Sequence, residues 1–273
     1  MRTTGNDIEI KVNGITICYD DLGEGSIPIV FIHGFPFDKS MWQPQMDFLK
    51  KTNRVIAYDI RGFGKSTADN EEASMGLFGD DLIKFMDALF INKAIICGLS
   101  MGGYILLNTL DRYPNRFEAI ILSDTQCIAD TSEAKEKRKK TIKQIEAEGL
   151  NNFTELFIQN IFCKESLNDK KVLVEKIKKI ILSTSSEIIT GTLNALAKRH
   201  EMCFLLREIS IPTLVLCGKE DIITPLIQSE FLHNNIRNSI FHSLDAAGHL
   251  SNLEQADEFN IHIYNFISSL SIE

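Results

Sequence analysis

Short apolar runs recur along the chain at residues 27–33, 54–58, 94–97, 119–122, 213–217 and 240–244. Each is too short for an ordinary helix and reads as a strand covered on both faces. Between these runs, apolar positions repeat with helical spacing over residues 41–51, 76–90, 103–113, 226–234 and 255–270. Strand and helix therefore alternate. Parallel strands need crossovers, and crossovers usually carry a helix, so the pattern predicts a mostly parallel open sheet with helices on both faces. Ahead of the first run, residues 8–18 hold two β-branched stretches around Asn13-Gly14. That dipeptide accepts the positive φ values of a tight turn, which predicts an antiparallel N-terminal hairpin.

The alternation stops between residues 125 and 208. No strand is visible there, and helical stripes follow one another: Leu156, Phe157, Ile161 and Phe162, then Leu173, Ile177, Ile180 and Ile181. A chain of 273 residues is long for one domain, but open α/β sheets of that size often carry an insertion. The expected organisation is an α/β core formed by residues 1–124 and 209–273, with a helical cap at 125–208.

Composition narrows the partners. Lys and Arg number 29 against 37 Asp and Glu, a formal net charge of -8 with a pI near 5.4. Such a surface repels phosphate backbones, so nucleic acid is not an expected partner. The one basic run, residues 135–140, is interleaved with Glu133 and Glu136 and reads as a solvated helix face. No stretch of about 18 apolar residues occurs, and the opening MRTTGNDIEIKV has no apolar signal-like region. The expectation is a cytoplasmic protein with no membrane partner, either a monomer or a homodimer. Cys18, Cys97, Cys127, Cys163, Cys203 and Cys217 form no C-x-x-C pair and are expected to stay reduced. Cys97 and Cys217, in apolar runs, read as core filler. The histidines show no H-E-x-x-H spacing, so neither a metal site nor a cofactor is expected.

The sharpest local feature is Gly98-Leu99-Ser100-Met101-Gly102, set directly after one strand run and before one helical segment. G-x-S-x-G in that context places the serine on a strained strand-to-helix turn. Its hydroxyl would be presented to solvent, and the amides opening the helix would face any anion that develops beside it. A serine hydroxyl is a weak nucleophile near neutral pH, so this chemistry demands a histidine base and an acid to orient that base. Downstream, Asp221 follows one strand run and His249 follows the last, each on a loop. Asp124, at the end of the 119–122 run, is the rival acid.

The segments HGFP (33–36), YDIRGFGKS (58–66), GLSMGG (98–103), GKEDIITP (218–225) and AAGHLSNLEQ (246–255) resemble the α/β-hydrolase superfamily. The resemblance spans both halves of the chain. It is nearest to the branch of 3-oxoadipate enol-lactone hydrolases, small carboxylesterases and cofactor-free haloperoxidase-type perhydrolases. It implies Ser100, Asp221 and His249 as nucleophile, acid and base, with the backbone amides of Phe35 and Met101 as the oxyanion hole. It also implies that His33 braces its loop. Asp59 and Arg61 read as fixing a strand-end loop.

For the substrate, Phe35, Phe37, Trp42, Met101, Cys127, Phe153 and Phe157 are the expected apolar lining. They suit a small or medium carboxylic ester or lactone. A dicarboxylate lactone would want a cation, for which Arg199 and Arg207 are the candidates. Ser100 argues against the Asp-nucleophile dehalogenases and epoxide hydrolases of this fold. Perhydrolysis and carbon-carbon bond hydrolysis use the same triad, and a ligand receptor or signalling partner that retains it is the alternative from another class.

Overall fold

The Asn13-Gly14 dipeptide turns the chain as expected: Asn13 takes φ +48° and Gly14 φ +81°. Strand β1 (Gly5–Val12) thereby folds back antiparallel on β2 (Ile15–Leu22), with Val12 opposite Ile15. A computed structural model of the chain describes residues 2–270; Met1 and residues 271–273, at the outer ends of the expected core, lie outside the described residues.

The apolar runs form β3 (Ile29–Ile32), β4 (Val55–Tyr58), β5 (Ala94–Leu99), β6 (Phe117–Ser123), β7 (Thr213–Gly218) and β8 (Ile240–Leu244). All eight strands join one sheet in the order β1-β2-β4-β3-β5-β6-β7-β8. The pairs β1/β2 and β2/β4 are antiparallel, and every other pair is parallel. Every residue of β3, β4, β5 and β7 is buried, which is why these strands are apolar without alternation. Alternate residues still serve different faces. Val30, Ile32, Ile96 and Leu122 enter one core, whereas Ile29, Phe31, Ile95 and Ile121 enter the other.

Three helices follow the first parallel strands: α1 (Gln43–Leu49), α2 (Met75–Ala88) and α3 (Met101–Arg112). The periodic stretch expected at 41–51 divides into a 3-10 turn, Lys39–Trp42, and α1. Asp38 caps that turn by accepting the Ser40 N–H. Between β6 and β7 come α4 (Ser132–Glu148), α5 (Leu150–Ile161), α6 (Lys164–Asp169), α7 (Lys171–Ser183) and α8 (Ser186–Lys198). The C-terminal part adds α9 (Leu226–Asn235), α10 (Ser251–Glu254) and α11 (Ala256–Ser269).

The inserted helices extend both cores. Ile142, Ile145, Ile189, Leu193 and Leu196 from α4 and α8 pack with the α2 and α3 side. Ile158, Ile161, Ile177 and Ile181 from α5 and α7 join the opposite cluster. Leu156 departs from the expected stripe and lies exposed. Among the described residues no helix is long and apolar enough to cross a membrane.

One expectation fails: Cys127 and Cys203 are not reduced thiols but form a disulfide. They are 76 positions apart, yet their Cα atoms lie 4.9 Å apart because the two ends of the insertion converge. The Met202 N–H donates to the Cys127 carbonyl at 2.8 Å and fixes that junction. Such proximity across tens of residues leaves no trace in cysteine spacing. The other four cysteines are free and buried.

Loop closure over that many residues restricts the unfolded chain strongly. Cys203→Ser is expected to lower the unfolding free energy by about 2–4 kcal/mol, read from denaturant midpoints without reductant. Equal midpoints would remove the bond from any account of stability.

Candidate active site

Strand β5 ends at Leu99, and Ser100 turns the chain into α3 with φ +54° and ψ −114°. A non-glycine residue in that region costs on the order of 1–3 kcal/mol and persists only where its surroundings fix it. Here they do. The Ser100 N–H donates to Ser123 O at 3.0 Å, and the Ser100 carbonyl accepts the Thr125 hydroxyl at 2.8 Å. The turn also needs its glycines. A Cβ on Gly98 would lie 2.4 Å from Gly102 O, and one on Gly102 would lie 2.3 Å from Ile32 O.

His249, on the loop after β8, brings its Nε2 to 2.8 Å from Ser100 Oγ. Its Nδ1 lies 2.8 Å from Asp221 Oδ2, on the loop after β7. Asp221 is further held by the Ile223 N–H at 2.7 Å, the Thr224 N–H at 3.1 Å and the Thr224 hydroxyl at 2.6 Å. Burial opposes ionisation of Asp221, but the His249 charge and these donors outweigh it and hold the carboxyl below its ordinary range. Burial likewise disfavours the imidazolium. The Asp221 charge and hydrogen bond, with smaller help from Asp124 and Glu254, overcome that penalty and raise the affinity of His249 for its proton.

Two main-chain amides lie next to this constellation in the chain or at a neighbouring strand end. Met101 opens α3, so its N–H has no helical partner, and Phe35 lies on the loop after β3. Neither amide donates to a backbone carbonyl among the described residues. His33 fixes the Phe35 loop: its Nδ1 donates to Gly34 O at 2.8 Å, and its Nε2 accepts the Ile60 N–H at 2.9 Å. Burial pushes its pKa down to about 4, so it braces the loop as a neutral ring. Asp59 accepts the Lys39 and Lys65 amides, and Arg61 pairs with Asp81 and Asp69, which ties the neighbouring strand-end loops together.

Asp124 does not touch the imidazole. Its carboxylate accepts the Gly218 N–H at 2.8 Å and the hydroxyls of Ser123 and Ser251. Burial, then the neighbouring Asp221 charge, push it up to about 7.

The expected apolar lining is brought together only in part. Phe35 meets Phe153 and Phe157 of α5 with ring centroids 6.4 and 6.3 Å apart, and Phe37 lies fully buried 6.3 Å from Phe157. Trp42 is not in this group. The 3-10 turn directs its indole into the core between Phe31 of β3 and Phe259 of α11. Cys127 is also removed from the lining as a thiol, being bonded to Cys203. Arg199 is no free anchor: it pairs with Asp130 and stacks 4.4 Å over the Tyr104 ring. Arg207 lies exposed on a 3-10 turn.

Ser100 is covered more than expected, at 7% exposure, and α5 bridges the loops after β3 and β8. That helix touches the Phe35 loop through Phe153 and Phe157, and its Ile161 carbonyl accepts the His249 N–H at 2.8 Å. Sequence reasoning missed Thr224 and Glu254. The Asp-x-x-Thr spacing of Asp221 and Thr224 was a usable sign of a side-chain-closed turn. Nothing in the sequence marks Glu254 as buried.

The family model for the alpha/beta hydrolase fold matches residues 27–256. The chain is 30% identical to 3-oxoadipate enol-lactonase 1 of Acinetobacter baylyi over 97% of its length and 95% of the relative's. A thermophilic esterase from Thermogutta terrifontis superposes with a TM-score of 0.91 at 33% identity, covering 96% of this chain and 97% of that one. An enol-lactonase from Burkholderia xenovorans LB400 superposes with a TM-score of 0.89 at 28% identity, covering 96% and 100%.

The geometry predicts how His249 titrates, which imidazole NMR reads directly. Asp221→Asn should lower its pKa, because burial then meets only the smaller opposing effects of Asp124 and Glu254. Asp124→Asn should produce a smaller fall. The opposite ranking would move the orienting acid to β6.

Proposed function

The chain belongs to the α/β-hydrolase family, and on that premise we propose that it hydrolyses small or medium carboxylic esters or lactones through a Ser100 acyl-enzyme. The observation that carries the reading is the continuous chain from Ser100 Oγ through His249 to Asp221, with 2.8 Å at each link. The esterase and enol-lactonase relatives support the same bond type.

In the first half-reaction His249 Nε2 takes the Ser100 proton as Oγ attacks the carbonyl carbon. The carbonyl oxygen gains the negative charge and lies against the Phe35 and Met101 amides. A donor of this kind typically contributes about 100 to 1000-fold to turnover. Collapse breaks the bond to the leaving oxygen, and His249 returns the proton to it. In the second half His249 deprotonates a water that attacks the acyl carbon, and Ser100 leaves with the proton restored. Asp221 stays ionised throughout, holding the imidazole tautomer and balancing the imidazolium.

Selectivity belongs to the aromatic surface of Phe35, Phe153 and Phe157. With Arg199 engaged by Asp130, this lining favours an uncharged acyl group over a dicarboxylate.

A panel of short-chain p-nitrophenyl esters and lactones tests the proposal. Native turnover should exceed that of Ser100→Ala by at least about 1000-fold on the preferred member. Native protein no faster than the variant across the panel would favour the receptor alternative. The profile of kcat/KM should also fall on the acid side as His249 becomes protonated and cannot accept the serine proton. Its midpoint should lie above the ordinary histidine value, since the folded environment raises that group. A midpoint below that value would count against His249 as the base.

A further inference from the structure

Glu254 closes α10, five residues beyond His249, and is fully buried. Its two carboxylate oxygens reach in different directions. Oε1 accepts the Gly248 N–H at 2.9 Å, from the residue that precedes His249. Oε2 accepts the Cys163 N–H at 2.9 Å, at the junction of α5 and α6 in the insertion. The ammonium of Lys170 goes to the Glu254 carbonyl oxygen, not to its carboxylate. Each oxygen of the buried carboxylate thus has one amide donor.

The same junction grips the histidine loop by other contacts. The His249 N–H donates to Ile161 O at 2.8 Å, and Cys163 Sγ lies 3.4 Å from Ala246 O. The backbones are so close that a Cβ on Gly248 would lie 2.7 Å from Cys163 N and 2.9 Å from Ile161 O. Residues 246–249 are thus clamped against residues 161–163, with the Glu254 side chain as the bridge across the seam. The carboxylate also adds to the charges that favour a protonated His249, alongside Asp221 and Asp124.

We infer that Glu254 is a positioning residue for His249: by pinning Gly248 to Cys163 it makes the α5–α6 junction hold the imidazole at Ser100. The inference rests on the proposed hydrolytic roles of Ser100, His249 and Asp221. The helix that bears Phe153 and Phe157 then serves a second purpose, because the segment that would meet the acyl group also sets the base.

Two substitutions in the full chain test it, with p-nitrophenyl acetate as probe and circular dichroism to report the fold. Glu254→Gln has one acceptor and one donor in place of two acceptors, so one amide loses its partner. It should lower kcat about 10 to 100-fold while KM stays within about threefold. The NMR-read pKa of His249 should fall by about one unit with the loss of the charge. Glu254→Asp keeps the charge but cannot span both amides; its kcat should also fall about tenfold, with a smaller change in the His249 titration. Native kcat and native His249 titration in Glu254→Gln would overturn the assignment, as would native kcat in Glu254→Asp if only that variant folds. Loss of the native fold in both would assign Glu254 to folding instead. The titration reads the histidine whether or not the ester is turned over, so in a native protein inactive on every ester the hydrolase reading fails while an unchanged His249 titration in Glu254→Gln still overturns this inference.

Discussion

A serine held at φ +54° between a strand and a helix cannot hold itself there. The restraint comes from both sides, from Ser123 and Thr125 at the end of β6 and from the carbonyl of Ile32 at the end of β3 against Gly102. Three adjacent parallel strands must therefore end at nearly the same level before the turn can exist. That single requirement fixes much else. It starts α3 directly at Met101, and it brings the loop after β3, where Gly34 lies against Leu99, close to the turn. It also leaves the ends of β7 and β8 as the places from which an acid and a base can approach.

Charge is managed as tightly as position. Asp221, Asp124 and Glu254 all act electrostatically on His249, and each is treated differently. Asp221 receives three donors besides the imidazole and stays ionised. Asp124, in a drier position and beside another carboxylate, is pushed towards neutrality and links Gly218 to Ser251 by hydrogen bonds. Glu254 spreads its charge over two backbone amides. A single buried imidazole can thus be surrounded by acids without three full charges competing in one small volume.

Much of this was legible in the sequence because it is local. Asn13-Gly14 announces the hairpin, the unbroken apolar runs announce buried parallel strands, and Gly98 to Gly102 between a strand and a helix announces the turn. Asp221 and His249 were found because each sits on a loop after a strand. What escaped depends on contacts between distant segments. Trp42 carries the same side chain whether it lines a pocket or fills a core, and only the direction of one 3-10 turn decides between them. Cys127 and Cys203 read as unrelated thiols until the insertion closes on itself. The placement of α5 between the loops after β3 and β8 follows from tertiary packing of a stripe that, as sequence, specifies only burial.

The bond between Cys127 and Cys203 makes the intervening helices a covalently sealed ring whose two ends meet in the connection between β6 and β7. The entropy of holding the ends of such a ring together grows only slowly with its length. Strands β6 and β7 can accordingly keep their pairing while the helices between them are lengthened, shortened or exchanged. The architecture separates the strand ends that hold the Ser100 turn from helices whose only fixed demand is to cover the two cores. The segment at 161–163 marks the limit of that freedom, since there the ring returns to touch the histidine.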